Sequence, residues 1–469
     1  MGQARPHGLG LIAARVTDSP APGLSRDVGL RSATLLVVAG MIGAGIFTTT
    51  GFMAQDLGHP AWILLLWAVG GVMALCGALC FAELGAMMPE AGAEYVYLRE
   101  SYGPTLAFMG SFVALLAGFS APIAAVLKSL VRYLGHFIPV LADDPRTAGL
   151  VSLDDLVAIG FVWALVAIHA RGLKTGLGFT DLVTAMKVLG IVALIGAAII
   201  AGKGAMENIV TVSPRYAELG AADLASTLAT SLIFVNFCYL GWNGAAYMAG
   251  EMKNPQRHLP LALLLGTGGV TLLYMALNVV YLYGAGVDGL AGAVEVGLVA
   301  SQSLFGPSGT TAIAALMCVT ILSSASAMTA QGPRVYYAAG RDVSRLAWLA
   351  RISPPTSTPV NALILQGAVT TAFILSGRVD QILQYAGFTA TLFATLPVSS
   401  VIYLRIRRPD APRPFRAWGY PFTPLLFLGV STWTMVWAVR GRPLESMLGL
   451  ATAALGAVLF VGLTRTRSR

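Results

Sequence analysis

The sequence predicts an all-α integral membrane protein of twelve transmembrane helices. Of its 469 residues, 56% are hydrophobic and only 11% are charged. A soluble domain carries about 25% charged residues. Mean hydropathy is +0.73, and apolar runs long enough to cross a bilayer recur along the whole chain. Lysine and arginine also alternate between dense and sparse in successive loops, as loops on opposite sides of a membrane do.

In chain order the spans are expected near residues 30–56, 60–84, 104–134, 152–170, 177–201, 225–250, 260–286, 308–338, 359–377, 379–404, 419–439 and 443–464. The long third and eighth runs point to tilted helices or extensions past the bilayer. Residues 1–27 are polar, rich in Pro, Gly and Arg, and lack the apolar core of a signal peptide; they read as a cytoplasmic tail. The glycine-rich stretch Val287–Gly306 is too short to span and reads as an extracellular hairpin or re-entrant cap.

With both ends inside, the inside segments hold 21 of the 30 lysines and arginines and the outside segments seven, with Lys128 and Lys187 within spans. The net charge of +8 therefore reports topology rather than a nucleic-acid partner. The densest basic cluster is Arg405, Arg407, Arg408, Arg413 and Arg416. It reads as an orientation signal that can also touch anionic lipid headgroups.

Two spans are broken by clustered glycines. The first break is Met41-Ile42-Gly43-Ala44-Gly45-Ile46-Phe47; the second is Phe237-Cys238-Tyr239-Leu240-Gly241-Trp242-Asn243-Gly244. Glycine loosens a helix, and unwound backbone is tolerated at membrane depth only where it lines a cavity or is buried in protein. Each break opens a set of five spans and is followed by a polar segment, Glu83–Tyr95 in one half and Glu251–Pro260 in the other. Five is odd, so the second set enters the membrane in the opposite sense, which makes an inverted repeat. The divisions are the tail 1–27, a first repeat over 28–202, a second over 203–408, and 409–469 with the last two spans and a short cytoplasmic C-terminus.

Backbone N–H groups freed near Gly43-Ala44-Gly45 suit a carboxylate. Carbonyls freed at Tyr239–Gly241 suit an ammonium group. Together they make a receptor for a zwitterion, and a free α-amino acid is the simplest one. The alternative is that these glycines only allow close helix packing, but Gly43-Ala44-Gly45 lacks the GxxxG spacing. Phe237 and Tyr239 flank the second break as candidate gates, and Asn243 could hydrogen-bond a substrate or a neighbouring helix.

Lys187 sits inside the fifth span, where a charge is costly and usually functional. Its ammonium could hydrogen-bond the first break and occupy the place of a coupling cation, or it could titrate, since burial lowers a lysine's pKa; snorkelling is the alternative. Lys128, nearer the end of its span, is expected to snorkel. The first, third, sixth, eighth and tenth spans carry no carboxylate at mid-depth, since Asp56, Glu251, Asp342 and Asp380 lie at ends. A pocket for polyamines would want one, so a neutral solute is favoured.

The cysteines Cys76, Cys80, Cys238 and Cys318 all fall in apolar runs and read as buried free thiols. The five histidines His7, His59, His136, His169 and His258 are dispersed. No metal site, cofactor, catalytic residue or soluble-enzyme motif is expected.

Four strings, in order and covering nearly the whole chain, resemble the amino acid–polyamine–organocation superfamily. They are Gly43-Ala44-Gly45-Ile46-Phe47; Ala82-Glu83-Leu84 to Pro89 with Gly92-Ala93-Glu94-Tyr95; Tyr239-Leu240-Gly241-Trp242-Asn243 with Ala249 to Pro255; and Gly332 to Ala338 with Gly340-Arg341-Asp342. The third is similar to the L-type amino acid transporter branch. The resemblance implies a LeuT-like fold of 5+5 inverted repeats plus two helices, and alternating access for amino acids. It maps substrate contacts onto Ile42, Gly43, Ala44, Gly45 and Ile46, and onto Phe237, Cys238 and Leu240. It matches Lys187 to the lysine that links the first and eighth spans in sodium-independent relatives. Many L-type members have serine where this chain has Ala44, which leaves the carboxylate to backbone donors.

The expected function is secondary transport of neutral L-amino acids across the cell membrane, by sodium-independent exchange or proton-coupled symport. The alternatives are a cationic amino acid or polyamine transporter of the same superfamily, or a non-transporting amino-acid sensor. The expected partners are the amino acid and membrane lipids. In L-type animal members a heavy chain is joined through an extracellular cysteine; no such cysteine is expected here, so the chain is a monomer or a non-covalent oligomer.

Overall fold

The computed structural model describes residues 23–141, 151–201, 203–376, 379–441 and 443–464. Most of the expected N-terminal tail, the last five residues, His7, Arg146, Arg378 and Arg442 lie outside the described residues, as does the side chain of Asp380. The described chain is almost wholly helical, and its only β contacts are two isolated bridges.

The first span is two helices, α1 (Leu30–Met41) and α2 (Thr49–Leu57), separated by the extended Gly43 and a 3-10 turn, Ala44–Phe47. Proline at its start, where its missing N–H costs nothing, opens α3 (Pro60–Met87). The polar segment then forms a short helix of its own, α4 (Glu94–Tyr102). Gly103-Pro104 separates it from α5 (Pro104–Val113), which runs through a π segment, Ala114–Ser120, into α6 (Ala121–Leu134). The half closes with α7 (Leu153–Ala170) and α8 (Leu173–Ala201).

The second half repeats this order. Helix α9 (Ala221–Tyr239) breaks at Leu240–Asn243 and resumes as a 3-10 segment, Gly244–Glu251. There follow α10 (Pro255–Leu290), the short α11 (Val296–Phe305), the long α12 (Pro307–Asp342), α13 (Val360–Leu375) and α14 (Val379–Arg407). Short helices α4 and α11 thus precede the long third helix of each half, as an inverted repeat requires. The expected hairpin over 287–306 is the end of α10, kinked at Gly286, plus α11, which closes on α2 through Gly292 N–H to Gly51 O at 3.0 Å. Helices α15 (Phe422–Gly441) and α16 (Pro443–Thr464) follow the repeat.

Among the described residues, nine helical segments are long and apolar enough to cross a membrane. Of the twelve expected spans, the first is divided by its break, the ninth is the 16-residue α13, and the tenth is the partly described α14. The broken helices form the centre: α1 packs on α8, α10 and α12, and α9 on α2 and α3. Large apolar side chains such as Leu189, Ile200, Leu272 and Val458 stay on the periphery, where hydrocarbon is the favourable neighbour.

The face bearing the N-terminal segment is closed by ion pairs. Arg334 meets Glu251 in two hydrogen bonds of 2.8 and 3.1 Å. Arg405 and Arg413 converge on Glu83, and Arg99 meets Asp342 at 2.9 Å. Arg334, counted among the loop arginines from sequence, lies inside α12 and is buried. Part of the basic cluster expected to face headgroups is likewise engaged within the protein. Val28 seals the same face by bridging Glu251 O and Lys253 N at 2.9 Å each.

Candidate functional site

The two breaks meet. A methyl group on Gly241 would lie 2.5 Å from the carbonyl carbon of Gly40, so the two chains touch through backbone where only glycine fits. Gly45 approaches as closely, since a methyl there would lie 2.6 Å from Cys238 Sγ. Tyr274 on α10 ties both, donating from Oη to Met41 O at 2.7 Å and Cys238 O at 3.1 Å.

Beside this junction lies a cavity of about 270 Å³. Gly43, Ala44 and Gly45 line one side and Phe237, Cys238, Leu240 and Asn243 another. Most of the remaining wall comes from the third span between Gly110 and Ser129, including its π segment, and from α12 and α14. A π segment displaces one turn of helix and is frequent at functional sites. Gly43 N–H already donates to Met41 O at 3.0 Å. Ala44 and Gly45 begin a 3-10 turn, so their N–H groups have no acceptor within it.

The other residues singled out from sequence are placed as follows. Ile42 and Ile46 are buried behind the cavity wall, and Ile42 contributes its carbonyl to Lys187. Phe237 lines the cavity with 46% of its surface exposed. Tyr239 is buried against Trp67 and Tyr274, donates to Trp67 O at 2.9 Å and lines no part of the cavity. Lys128 pairs with Asp154 and Asp155, the latter at 2.6 Å, rather than reaching alone to an interface.

Lys187 is fully buried on α8. Its Nζ donates to Ile42 O at 2.7 Å, to Ala39 O at 3.2 Å and to Ser324 Oγ at 3.4 Å; Ser324 also donates to Ile42 O at 2.8 Å. These carbonyls are the ones α1 leaves unpaired where it unwinds. The ammonium thus joins the first break to α8 and α12. A seam of hydroxyls continues between those helices, with Thr184 to Ser323 at 2.9 Å and Thr180 to Ser326 at 2.8 Å.

The spans carry no mid-depth carboxylate into the cavity, but α4 does. Glu94, outside the spans in sequence, lines the cavity and is only 9% exposed. Its Oε1 accepts from Asn243 Nδ2 and from Tyr247 Oη, both at 2.8 Å. Burial raises its pKa to about 7, against the two hydrogen bonds, which lower it. The expectation that the solute meets no carboxylate therefore fails at Glu94.

Tyr274→Phe keeps the ring and removes the hydroxyl that bridges the breaks. Cys238 O loses this donor while Met41 O keeps Gly43 N–H at 3.0 Å, a loss of about 1–3 kcal/mol in all. Transport of the cavity's solute is expected to fall about tenfold or more, with the purified protein still folded. An unchanged rate would show that the bridge is dispensable.

The sequence profile of the family described as amino acid permease matches residues 28–459. The chain is 27% identical to b(0,+)-type amino acid transporter 1 of Mus musculus over 448 residues, covering 95% of this chain and 89% of that one. It is 28% identical to the cystine/glutamate transporter of Homo sapiens over 440 residues, covering 92% and 84%. To large neutral amino acids transporter small subunit 2 of Mus musculus it is 25% identical over 455 residues, covering 94% and 81%. With two broken helices meeting at one cavity and a match over nearly its whole length, this multi-pass membrane protein belongs to the amino acid permease family of the amino acid–polyamine–organocation superfamily.

Proposed function

We propose that the protein is a secondary transporter that carries neutral L-amino acids by alternating access and without sodium. The observation that carries this reading is a cavity lined by unwound backbone from both repeats. The substrate carboxylate takes the N–H groups at Ala44 and Gly45, and its amine takes carbonyls at Phe237 and Cys238. Ile42 and Ile46 shape the first of these segments, and Leu240 and Asn243 the second. Tyr239 supports the site through its backbone, with its ring in the packing behind. Phe237, half exposed at the edge, is the gate. Lys187 supplies an amine donor to the first break where a coupling cation would sit, which is why no sodium is needed.

The wall is mainly Gly, Ala, Val and Phe, which favours neutral side chains. Glu94 favours a second reading, a cationic amino acid whose side-chain ammonium meets the carboxylate. The excess of basic residues puts both termini in the cytoplasm, and the membrane is the cell membrane. The chain's four cysteines all lie within helices, on α3, α9 and α12, so no disulfide to a heavy chain is proposed, and no enzymatic activity.

The test is counterflow exchange in proteoliposomes with a panel of neutral and cationic L-amino acids, with and without sodium. Saturable exchange of neutral members that ignores sodium is expected. Exchange of lysine and arginine alone would favour the second reading, and no exchange by any member would refute both.

A further inference from the structure

On the face bearing the N-terminal segment Glu83 has Arg405 and Arg413, Glu251 has Arg334, Asp342 has Arg99 and Asp27 has Lys174, while Asp181, away from the cavity lining, is held by Ser32 Oγ at 2.6 Å. Glu94 forms no ion pair among the described residues. Both of its hydrogen bonds fall on one oxygen, Oε1. Its donors, Asn243 and Tyr247, belong to the broken sixth span, so the carboxyl reads the position of that helix directly.

The groups around it leave it alone as a charge. On α4, Tyr97 stands one turn on, and Arg99 is engaged by Asp342, Glu90 and Glu100. On the 3-10 segment, Tyr247 donates to it, and Glu251 is held by Arg334 of α12. The remaining titratable side chain that α12 turns toward this region is Tyr336, whose hydroxyl is 3.5 Å from Ala114 O. From the end of α14 and the loop after it, Arg405 and Arg413 go to Glu83.

We propose that Glu94 is the proton-binding group that makes uptake through this cavity proton-coupled, a reading that rests on the amino acid transport proposed above. In the conformation seen, a proton enters from the cavity and binds the carboxylate oxygen that carries no hydrogen bond. The neutral acid keeps both hydrogen bonds from the sixth span, now to a carbonyl-type oxygen. Closing the cavity over solute and an ionised Glu94 would strip water from a charge with no basic side chain beside it. Closing it over the neutral acid does not. The loaded, protonated protein can therefore pass to the conformation open on the other side. There the proton leaves to water and the carboxylate is restored; with no solute in it the cavity of about 270 Å³ takes up water, which solvates the ionised carboxylate while the empty protein returns. One proton and one zwitterion cross together, and no bond other than the O–H forms or breaks. A group whose pKa is near 7 loads and unloads over the pH range that cells maintain.

The experiment compares wild type and Glu94→Gln in proteoliposomes, with a radiolabelled neutral amino acid that the wild type exchanges. With the lumen about 1.5 pH units more alkaline than the bath, wild type is expected to accumulate the solute, up to about thirtyfold over its external level at full coupling. Pyranine trapped in the lumen should report acidification on adding the solute. Glu94→Gln mimics the protonated acid. Its internal level should stop at the external one, and its exchange, at whatever rate it retains, should be flat between about pH 6 and pH 8. Glu94→Asp should keep accumulation with a displaced pH profile. Three results overturn the proposal. One is accumulation by Glu94→Gln to the wild-type level. Another is wild-type exchange that a pH gradient leaves unchanged, in which case the transport reading stands. The third is loss of the gradient response in Glu94→Asp while its exchange persists. If wild type exchanges nothing, the transport reading itself has failed and the proposal falls with it.

Discussion

Lys187→Ala is expected to reduce uptake in proteoliposomes at least about tenfold while leaving a protein that purifies folded. The lysine is fully buried and donates to the carbonyls of Ile42 and Ala39. A hydrogen bond to a charged group contributes about 1.5–3 kcal/mol, and a buried acceptor left without a donor costs a similar amount. Losing one such interaction corresponds to roughly a tenfold to hundredfold change in an equilibrium. The fold itself is less exposed to the loss, because Ser324 keeps its own bond to Ile42 O at 2.8 Å and α1 remains packed on α10 and α12. The loss should therefore fall on the position of the first break relative to α8. Lys187→Arg is expected to fail as well, because a planar guanidinium does not fit a site built for a compact ammonium. Uptake by Lys187→Ala at the wild-type rate would refute the role assigned to this residue.

Why Lys187 was legible in the sequence, and Glu94 was not, has a physical answer. A charge inside an apolar run stands out because hydrocarbon penalises it wherever the helix packs. Glu94 sits in a polar segment between spans, where a carboxylate costs nothing in sequence terms. It reaches the cavity because Gly92 and Ala93 turn the backbone through φ of +101° and +35°, which aims the start of α4 inward. One local signal did mark α4 as separate from the third span: Gly103-Pro104, since a residue before proline avoids helical geometry. Nothing local marks the direction α4 takes.

The two breaks were legible as places, because clustered glycines at membrane depth have few other uses. Which side chains around them would face the cavity was not. In a regular helix the 3.6-residue period assigns faces, but in an unwound segment each residue's own φ and ψ decide. Asn243 is such a residue and lines the cavity, whereas Phe237 and Tyr239, two apart in the last turn of α9, face opposite ways, Phe237 to the cavity and Tyr239 to Trp67. The partners of Lys128 were hidden for another reason. Asp154 and Asp155 begin the next helix, and loop geometry rather than sequence spacing brings them to it.

Two glycine substitutions separate packing from binding at the breaks. Gly241 holds φ at +100°, and a methyl there would lie 2.5 Å from Gly40 C, 2.6 Å from Gly40 O and 3.0 Å from Met41 N. All three neighbours are backbone atoms of the first break, so no side chain can move aside. A non-glycine residue at such a φ costs about 1–3 kcal/mol before any clash is counted, and overpacking adds about 1–3 kcal/mol more. Gly241→Ala is therefore expected to lower the thermal unfolding midpoint clearly and to abolish uptake, because the breaks can no longer meet. Gly43 is the opposite case. Its φ of −111° suits any residue, and a methyl there would meet nothing within 4 Å. Gly43→Ala is expected to unfold at the wild-type temperature. Its methyl would project from backbone that lines the cavity, where the carboxylate is proposed to bind, so the KM should rise several-fold. Unfolding midpoints together with uptake kinetics check both. A Gly241→Ala protein with wild-type stability and uptake would show that the broken helices do not touch through Gly40 and Gly241. If Gly43→Ala were destabilised but kept its KM, Gly43 would belong to the packing of the fold rather than to the wall that holds the solute.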